Sequence, residues 1–247
     1  MSLPKYLRPK KQYQLERIGN NNDGGYLVNS TSILNSRSLI SFGIGTDWTF
    51  EKNFRKINNE CKIYCYDNYI CFKILFRELI KEIILFYKFD LRKIFNAFIK
   101  NFDFIFFFKN NKLTRHYITS NSIKNILKKE KIITPIFFKI DIEGSEYRIL
   151  DNLIKIKKKI TAIVIEFHDI DLHVDKIKKF INNIDLHLTH IHPNDFVILD
   201  KNKNPTVIEL TFERFPEIID SSVKLPNKKD QKCDPSKSDI NIRFKSK

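Results

Sequence analysis

Phe137-Phe138-Lys139-Ile140-Asp141-Ile142-Glu143-Gly144-Ser145-Glu146-Tyr147 is the stretch on which the reading of this chain turns. Ile136 to Ile140 is short, β-branched and aromatic apart from Lys139, which predicts a buried central strand. Gly144 and Ser145 then permit a tight turn and an N-cap. After them Tyr147, Leu150 and Ile154 recur at helical spacing. Asp141 and Glu143 therefore fall where a strand gives way to a helix, the carboxyl edge at which open α/β sheets bind ligands. Two carboxylates there are costly unless they hold a cation, a hydroxyl-rich ligand or a basic partner. The plain structural alternative is that Lys139 or an arginine neutralises them.

The same pattern recurs on both sides. Upstream, the strand Ser38–Phe42 runs into Gly43-Ile44-Gly45-Thr46-Asp47, with a helix expected over Thr49–Ile57. Strand, Gly-x-Gly, helix lets a backbone approach a nucleotide closely. Lys62–Asp67 follows as a second strand ending in an acid, where nucleotide-binding folds accept hydrogen bonds from ribose hydroxyls. A bare surface carboxylate is the alternative for Asp67. Trp48 stands where a third glycine would be, which argues against a nicotinamide-dependent enzyme. Downstream, Ile160–His168 reads as another buried strand, with Glu166 and His168 two apart and so on one face. Asp175–Asn183 reads as a helix, and the strand from Leu186 places His190 and His192 two apart. Phe196–Leu199 and Val207–Phe212 read as an antiparallel pair across Asp200–Pro205, and Ile240–Phe244 as a last strand.

Towards the N-terminus, Asp23-Gly24-Gly25 predicts a hairpin whose asparagines and glycines suit wrapping a polar ligand. Residues 1–16 read as a polar, basic arm lying on the domain. Residues 70–101 read as one or two long helices with an apolar face through Ile74, Leu79 and Ile83. They form a helical insertion or cover of about 70–112, whose aromatic and basic make-up also permits peripheral membrane contact. Arg115–Thr119 is the expected third core strand and Ser122–Lys131 a basic amphipathic helix.

The 247 residues with 42% hydrophobic content are enough for one α/β domain spanning residues 1–247. A net charge of +15 favours acidic partners. The lysines are spread along the chain, however, and the clustered footprint of a nucleic-acid binder is not evident. Cys61, Cys65, Cys71 and Cys233 form no C-x-x-C pair and no zinc spacing. They read as reduced, buried thiols of a cytoplasmic protein. The N-terminus lacks an apolar signal core. The greasiest stretch, Tyr69–Phe89, is interrupted by Lys73, Arg77, Glu78, Lys81 and Glu82, so no transmembrane segment is expected.

Arg17–Tyr26, Ser41–Asp47, Phe138–Glu146, Ile165–His168, His190–Asn194 and Ile208–Phe212 together resemble the FkbM family of S-adenosylmethionine-dependent methyltransferases. The likeness runs from about Arg17 to Phe244, and Lys-Ile-Asp-Ile-Glu-Gly-x-Glu is its most specific piece. It implies a Rossmann-like class I methyltransferase fold: a mostly parallel central sheet, helices on both faces and an antiparallel C-terminal strand pair. It also implies O-methylation, in many members of sugars. Carried over by position, it sets Gly43, Gly45, Asp67, Asp141 and Glu143 against S-adenosylmethionine, and Asp141, Glu166 and His168 at the reaction centre. Asp23, Tyr26, His192 and Asn194 then fall to a saccharide acceptor, carrier- or nucleotide-linked. Two positions depart from the pattern: Ser41 replaces the acid that many methyltransferases carry, and Asp195 replaces a second asparagine.

A sugar hydroxyl is a poor nucleophile at neutral pH. Either a general base takes its proton or a bound cation lowers its pKa. His168 serves as the base, oriented by Glu166 or Asp141. Alternatively Asp141, Glu166, His168 and His192 make a divalent metal site. A basic nucleic-acid-binding protein or nucleic-acid methyltransferase on the same fold is the competing function.

Overall fold

In the computed structural model, which describes residues 3–69, 72–84, 91–196, 199–201, 204–238, 240 and 242–245, each central strand is followed by a helix. The chain runs through β1 (Gln12–Tyr13), β2 (Glu16–Gly19), β3 (Gly25–Val28), α1 (Ser30–Leu34), β4 (Ser38–Phe42), α2 (Thr49–Ile57) and β5 (Lys62–Asp67). It continues through α3 (Phe72–Ile84), α4 (Leu91–Lys109), β6 (Lys112–Arg115), α5 (Ser122–Lys129), β7 (Ile136–Ile140) and α6 (Leu150–Lys155). Last come β8 (Ile160–Phe167), α7 (Val174–Asn183), β9 (His187–Pro193), β10 (Ile208–Glu213) and β11 (Ile218–Asp220).

Seven strands form one sheet in the order β6-β5-β4-β7-β8-β10-β9. The strands from β6 to β8 pair in parallel, and β10 is antiparallel to both β8 and β9. This is the Rossmann-like class I methyltransferase arrangement. β4, β7 and β8 are buried along their whole length, as expected of central strands covered on both faces. Successive side chains of β7 serve opposite faces: Phe137 packs edge-on against Phe54 of α2, while Phe138 joins the core against α5, α6 and α7. Two hydrophobic cores result, one on each face of the sheet. The arm is part of this packing, with Leu3 and Leu7 buried in the α5–α7 core, and β1 pairs with β11.

Several boundaries differ from expectation. The third strand is Lys112–Arg115, not Arg115–Thr119: Tyr64–Asp67 pairs with those four residues, and His116 donates its amide to the Asp67 carbonyl as the chain leaves the sheet. The helix Ser122–Lys129 ends two residues early. Ser145 makes no side-chain cap, and Glu146–Arg148 is a 3₁₀ turn before α6. Phe196–Leu199 does not pair with Val207–Phe212, because both edges of β10 are taken by β8 and β9. Leu199 bridges Pro205 instead, and residues 197 and 198 lie outside the described residues. Of the expected strand Ile240–Phe244, residue 241 lies outside the described residues, and Phe244 bridges Leu3. The pairing of β1 with β11 was not foreseen. Among the described residues no helix is long and apolar enough to cross a membrane.

Candidate functional site

The candidate site lies along the carboxyl edge of the sheet and has two halves. In the first, β4 ends at Gly43, whose φ is +73°. A Cβ there would lie 1.5 Å from the Asp141 carbonyl oxygen, so only glycine lets the ends of β4 and β7 touch. Gly45, at φ +51°, has no heavy atom within 4 Å of its Cβ direction and faces open space. Its amide donates to Asp67 Oδ2 at 3.0 Å. The Tyr69 amide donates to Asp67 Oδ1 at 2.6 Å, so one buried carboxylate pins the loops after β4 and β5. Above them is a cavity of about 400 Å³ lined by Gly43, Gly45, Asp67, Tyr69, Asp141 and Glu143 among others. The sequence-predicted cofactor residues are thus brought together.

Lys139 and Asp141 join this half to the next. Lys139 is buried, donates to the Gly43 carbonyl, and lies 3.6 Å from Asp141 Oδ2. The neutralising lysine expected as the plain alternative is therefore present. Burial works against its charge, but Asp141, Glu51 and Glu166 outweigh burial and hold the Lys139 pKa above the ordinary lysine value. At position 41, Ser41 Oγ donates to the buried Glu51 Oε1 at 2.5 Å from within the sheet.

The second half is a buried polar rung across three strands. In register, Glu166 of β8 faces Glu209 of β10, and Glu209 faces His192 of β9. Directly opposed residues share a face, so these side chains converge. Asn194 Nδ2 donates to Glu166 Oε1 at 2.9 Å. Burial, then Asp141 and Glu209, drive the Glu166 pKa well above the usual carboxylate range, against the Asn194 bond. Burial and the nearby Glu209 and Asp141 also raise Asp23. Tyr26 is buried, and its hydroxyl has no hydrogen-bond partner among the described residues. Its pKa is pushed well up by burial and then by Asp141, Glu166, Glu209 and Asp23.

His168 stands beside this rung among carboxylates. Its Nε2 is 3.3 Å from Glu143 Oε2 and 3.7 Å from Glu166 Oε1, and its Nδ1 is 3.4 Å from Glu146 Oε1. Its backbone is held at both ends, since the amide donates to Glu146 Oε1 at 2.8 Å and the carbonyl accepts from the Tyr147 hydroxyl. Burial lowers the imidazole pKa, but Glu146, Glu143 and Asp141 more than offset this, so it sits above the ordinary histidine value. Glu143 reaches His168 from a backbone at φ +50°, a conformation costing a non-glycine residue about 1–2 kcal/mol.

The expected four-residue metal set does not gather. Asp141 and His168 group with Glu143, His192 groups with Glu209 and Cys233, and Glu166 belongs to neither group. Glu146, Glu209 and Cys233 were missed. Glu209 had a signal, a lone acid inside an apolar strand, like Glu166. Cys233 had none, because its partners are distant in sequence. His190 pairs through Nε2 with the buried Asp230 at 2.8 Å. Asp195 accepts the Asp234 amide at 2.6 Å.

A family model described as the methyltransferase FkbM domain matches residues 82–220. Among solved structures, a precorrin-6y C5,15-methyltransferase from Geobacter metallireducens is similar at 11% identity and TM-score 0.40, over 75% of this chain and 86% of its own. The fibrillarin pre-rRNA processing protein of Methanococcus jannaschii is similar at 11% identity and TM-score 0.39, over 86% of each chain. A putative rRNA methylase from Clostridium thermocellum is similar at 10% identity and TM-score 0.40, over 73% of this chain and 88% of its own. No curated protein matches the chain.

Proposed function

The chain belongs to the methyltransferase FkbM domain family and is a methyltransferase, and on that premise we propose that it moves a methyl group from S-adenosylmethionine to a hydroxyl oxygen of a saccharide. One observation carries this reading. Asp141 and Glu143 line the glycine-floored cavity and also lie within 4.8 Å of the His168 ring nitrogens. A cofactor cavity and a candidate base therefore share two residues.

The cavity fits the cofactor on its own terms. Gly45 leaves space where a side chain would intrude, and Asp67, which ends β5 and lines the cavity, would accept from ribose hydroxyls. When bound, S-adenosylmethionine supplies an electrophilic methyl carbon and a neutral thioether leaving group. The chain's own residues do the rest. His168 Nε2 takes the acceptor O–H proton as the oxygen–carbon bond forms, and the resulting imidazolium is stabilised by Glu146, Glu143 and Asp141. A positioned base of this kind contributes about 10²–10⁴-fold. Asp23, Tyr26, His192 and Asn194 are the polar side chains we assign to the sugar hydroxyls. The Asp141, Glu143 and His168 donors would alternatively suit a hard divalent cation; a chelator effect on transfer favours that version.

A nucleic-acid acceptor is the competing reading, favoured by the net charge of +15. It requires salt-sensitive binding to RNA or DNA, and absence of a gel shift at low salt removes it.

The test is calorimetric titration with S-adenosylhomocysteine, with and without chelator, on the wild type and Asp67→Ala. Saturable binding weakened about 10–100-fold in the variant is expected from loss of a charge-assisted hydrogen bond. Unchanged binding in Asp67→Ala overturns the ribose assignment, and no binding at all overturns the cofactor.

A further inference from the structure

Cys233 takes no part in the chemistry above, yet few side chains are held so firmly. Its segment is tied down at three points: Asp230 to His190 Nε2 at 2.8 Å, the Lys232 carbonyl to Asn22 Nδ2 at 2.9 Å, and the Asp234 amide to Asp195 Oδ1 at 2.6 Å. Between these anchors the thiol points inward at 2% exposure. Its Sγ is 3.9 Å from His192 Nδ1 and 3.9 Å from Glu209 Oε1, while His192 Nδ1 is 3.5 Å from Glu209 Oε2. Tetrahedral zinc bonds imply donor–donor edges of roughly 3.3–3.6 Å. Cys233 thus meets one Glu209 oxygen and His192 the other, each pair within a few tenths of an ångström of coordinating separation, and one donor atom from each of the three residues lies within 4.8 Å of the others.

The surroundings point the same way. Glu166 and Glu209 are both buried in this interior, and the nearby Lys139 is engaged by Asp141 and the Gly43 carbonyl. The buried Tyr26 hydroxyl, without a hydrogen-bond partner among the described residues, faces the same carboxylates. Neighbouring buried carboxyls are expensive to ionise, and a divalent cation offsets that cost. One thiolate, one imidazole and one carboxylate form a donor set that suits zinc over magnesium or calcium.

We propose that His192, Glu209 and Cys233 bind a zinc ion at the acceptor end of the site, as three protein ligands with a fourth position for water or an acceptor oxygen. The ion would fasten the 230–234 segment to β9 and β10. The three-ligand zinc site does not rest on methyl transfer; only an acceptor oxygen as the fourth ligand does.

The test strips the full chain with chelator and titrates cobalt(II), following the thiolate-to-cobalt absorption in the near ultraviolet, then displaces cobalt with zinc chloride. One equivalent of each metal is expected, with the band absent in Cys233→Ser and zinc affinity about 100-fold weaker. Cys61→Ser, just before β5 and outside the His192, Glu209 and Cys233 group, keeps the band. Glu209→Gln, which preserves shape, supplies a second weakened variant should Cys233→Ser fail to fold. No saturable zinc binding, or a band that survives Cys233→Ser, overturns the site. S-adenosylhomocysteine titrations of the same samples report the other cavity, so failure of the zinc site and failure of the cofactor reading are told apart.

Discussion

Replacing Gly43 by alanine puts a methyl group 1.5 Å from the Asp141 carbonyl oxygen, and neither backbone can yield without parting β4 from β7. Gly45→Ala meets no atom within 4 Å and bears only the left-handed backbone strain, about 1–2 kcal/mol. The two variants should therefore separate in a thermal melt. Gly43→Ala loses cooperative unfolding, whereas Gly45→Ala folds but binds S-adenosylhomocysteine more weakly because its methyl enters the cavity. Equal behaviour would sink the assignment of different roles. His168 offers a second residue-scale prediction. Its pKa lies above the ordinary value of about 6.5, so a base with this ring gains activity as pH rises through that raised value. An NMR titration of the His168 ring should show the raised midpoint and a downward move in Glu143→Gln, which removes the carboxylate 3.3 Å away. Asp141, Glu166 and His168 were legible because each polar residue follows an apolar run. Glu146 was legible as a letter of the quoted stretch but not as a partner, since its approach to His168 depends on β7 and β8 lying side by side.

At the scale of elements, α2 delivers Glu51 into the sheet beneath Ser41. Ser41, read from sequence as a departure from the strand acid, is hydrogen-bonded to this carboxyl ten residues later. Burial raises the Glu51 pKa, against the opposing effects of Lys139 and Ser41. A folded pKa above the unfolded value gives stability that is present below the unfolded value, about 4.3, and lost as pH rises through the folded one. Glu213, raised by burial against the bond from the Asn29 amide, carries the same sign. Thermal melts should show Glu51→Gln narrowing the gap in stability between pH 5 and pH 8; an unchanged gap would mean that Glu51 is ionised in the fold without penalty. The central elements could be read because strands buried on both faces are continuously apolar. β6 could not be placed, because an edge strand written Lys-Leu-Thr-Arg carries little period. The partners of β10 were misjudged because the nearest segment in sequence, 196–199, was given an edge that β8 and β9 already hold.

Over the whole molecule, the helix pair α3 and α4 carries an unusual surface. Its inner side docks on the body through Trp48, which packs edge-on against Phe104 and Phe108 and donates its indole N–H to Asp103 at 2.8 Å. The residue that read as a missing glycine is thus the anchor of the insertion. On the outer side of α4, Phe95, Phe98, Phe102, Ile105 and Phe106 stand exposed at helical spacing, with Arg77, Lys81 and Arg92 also exposed on the pair. Exposed apolar rows of this extent mark interaction surfaces, and aromatic residues beside basic ones match the headgroup region of an anionic bilayer. Basic residues near such a surface each contribute about 1 kcal/mol, and the effect falls off with salt. If the acceptor is a sugar on a lipid carrier, this face would hold the active edge near its substrate. The chain should therefore sediment with phosphatidylglycerol vesicles at low salt, less so at high salt, and hardly at all with neutral vesicles. Phe95→Ser combined with Phe102→Ser and Phe106→Ser should abolish sedimentation while leaving S-adenosylhomocysteine affinity unchanged, since none of the three lines the cavity. Sedimentation that persists in the triple variant would assign the attraction to dispersed lysines alone, and its absence in the wild type would leave a soluble, nucleotide-linked sugar as the better acceptor.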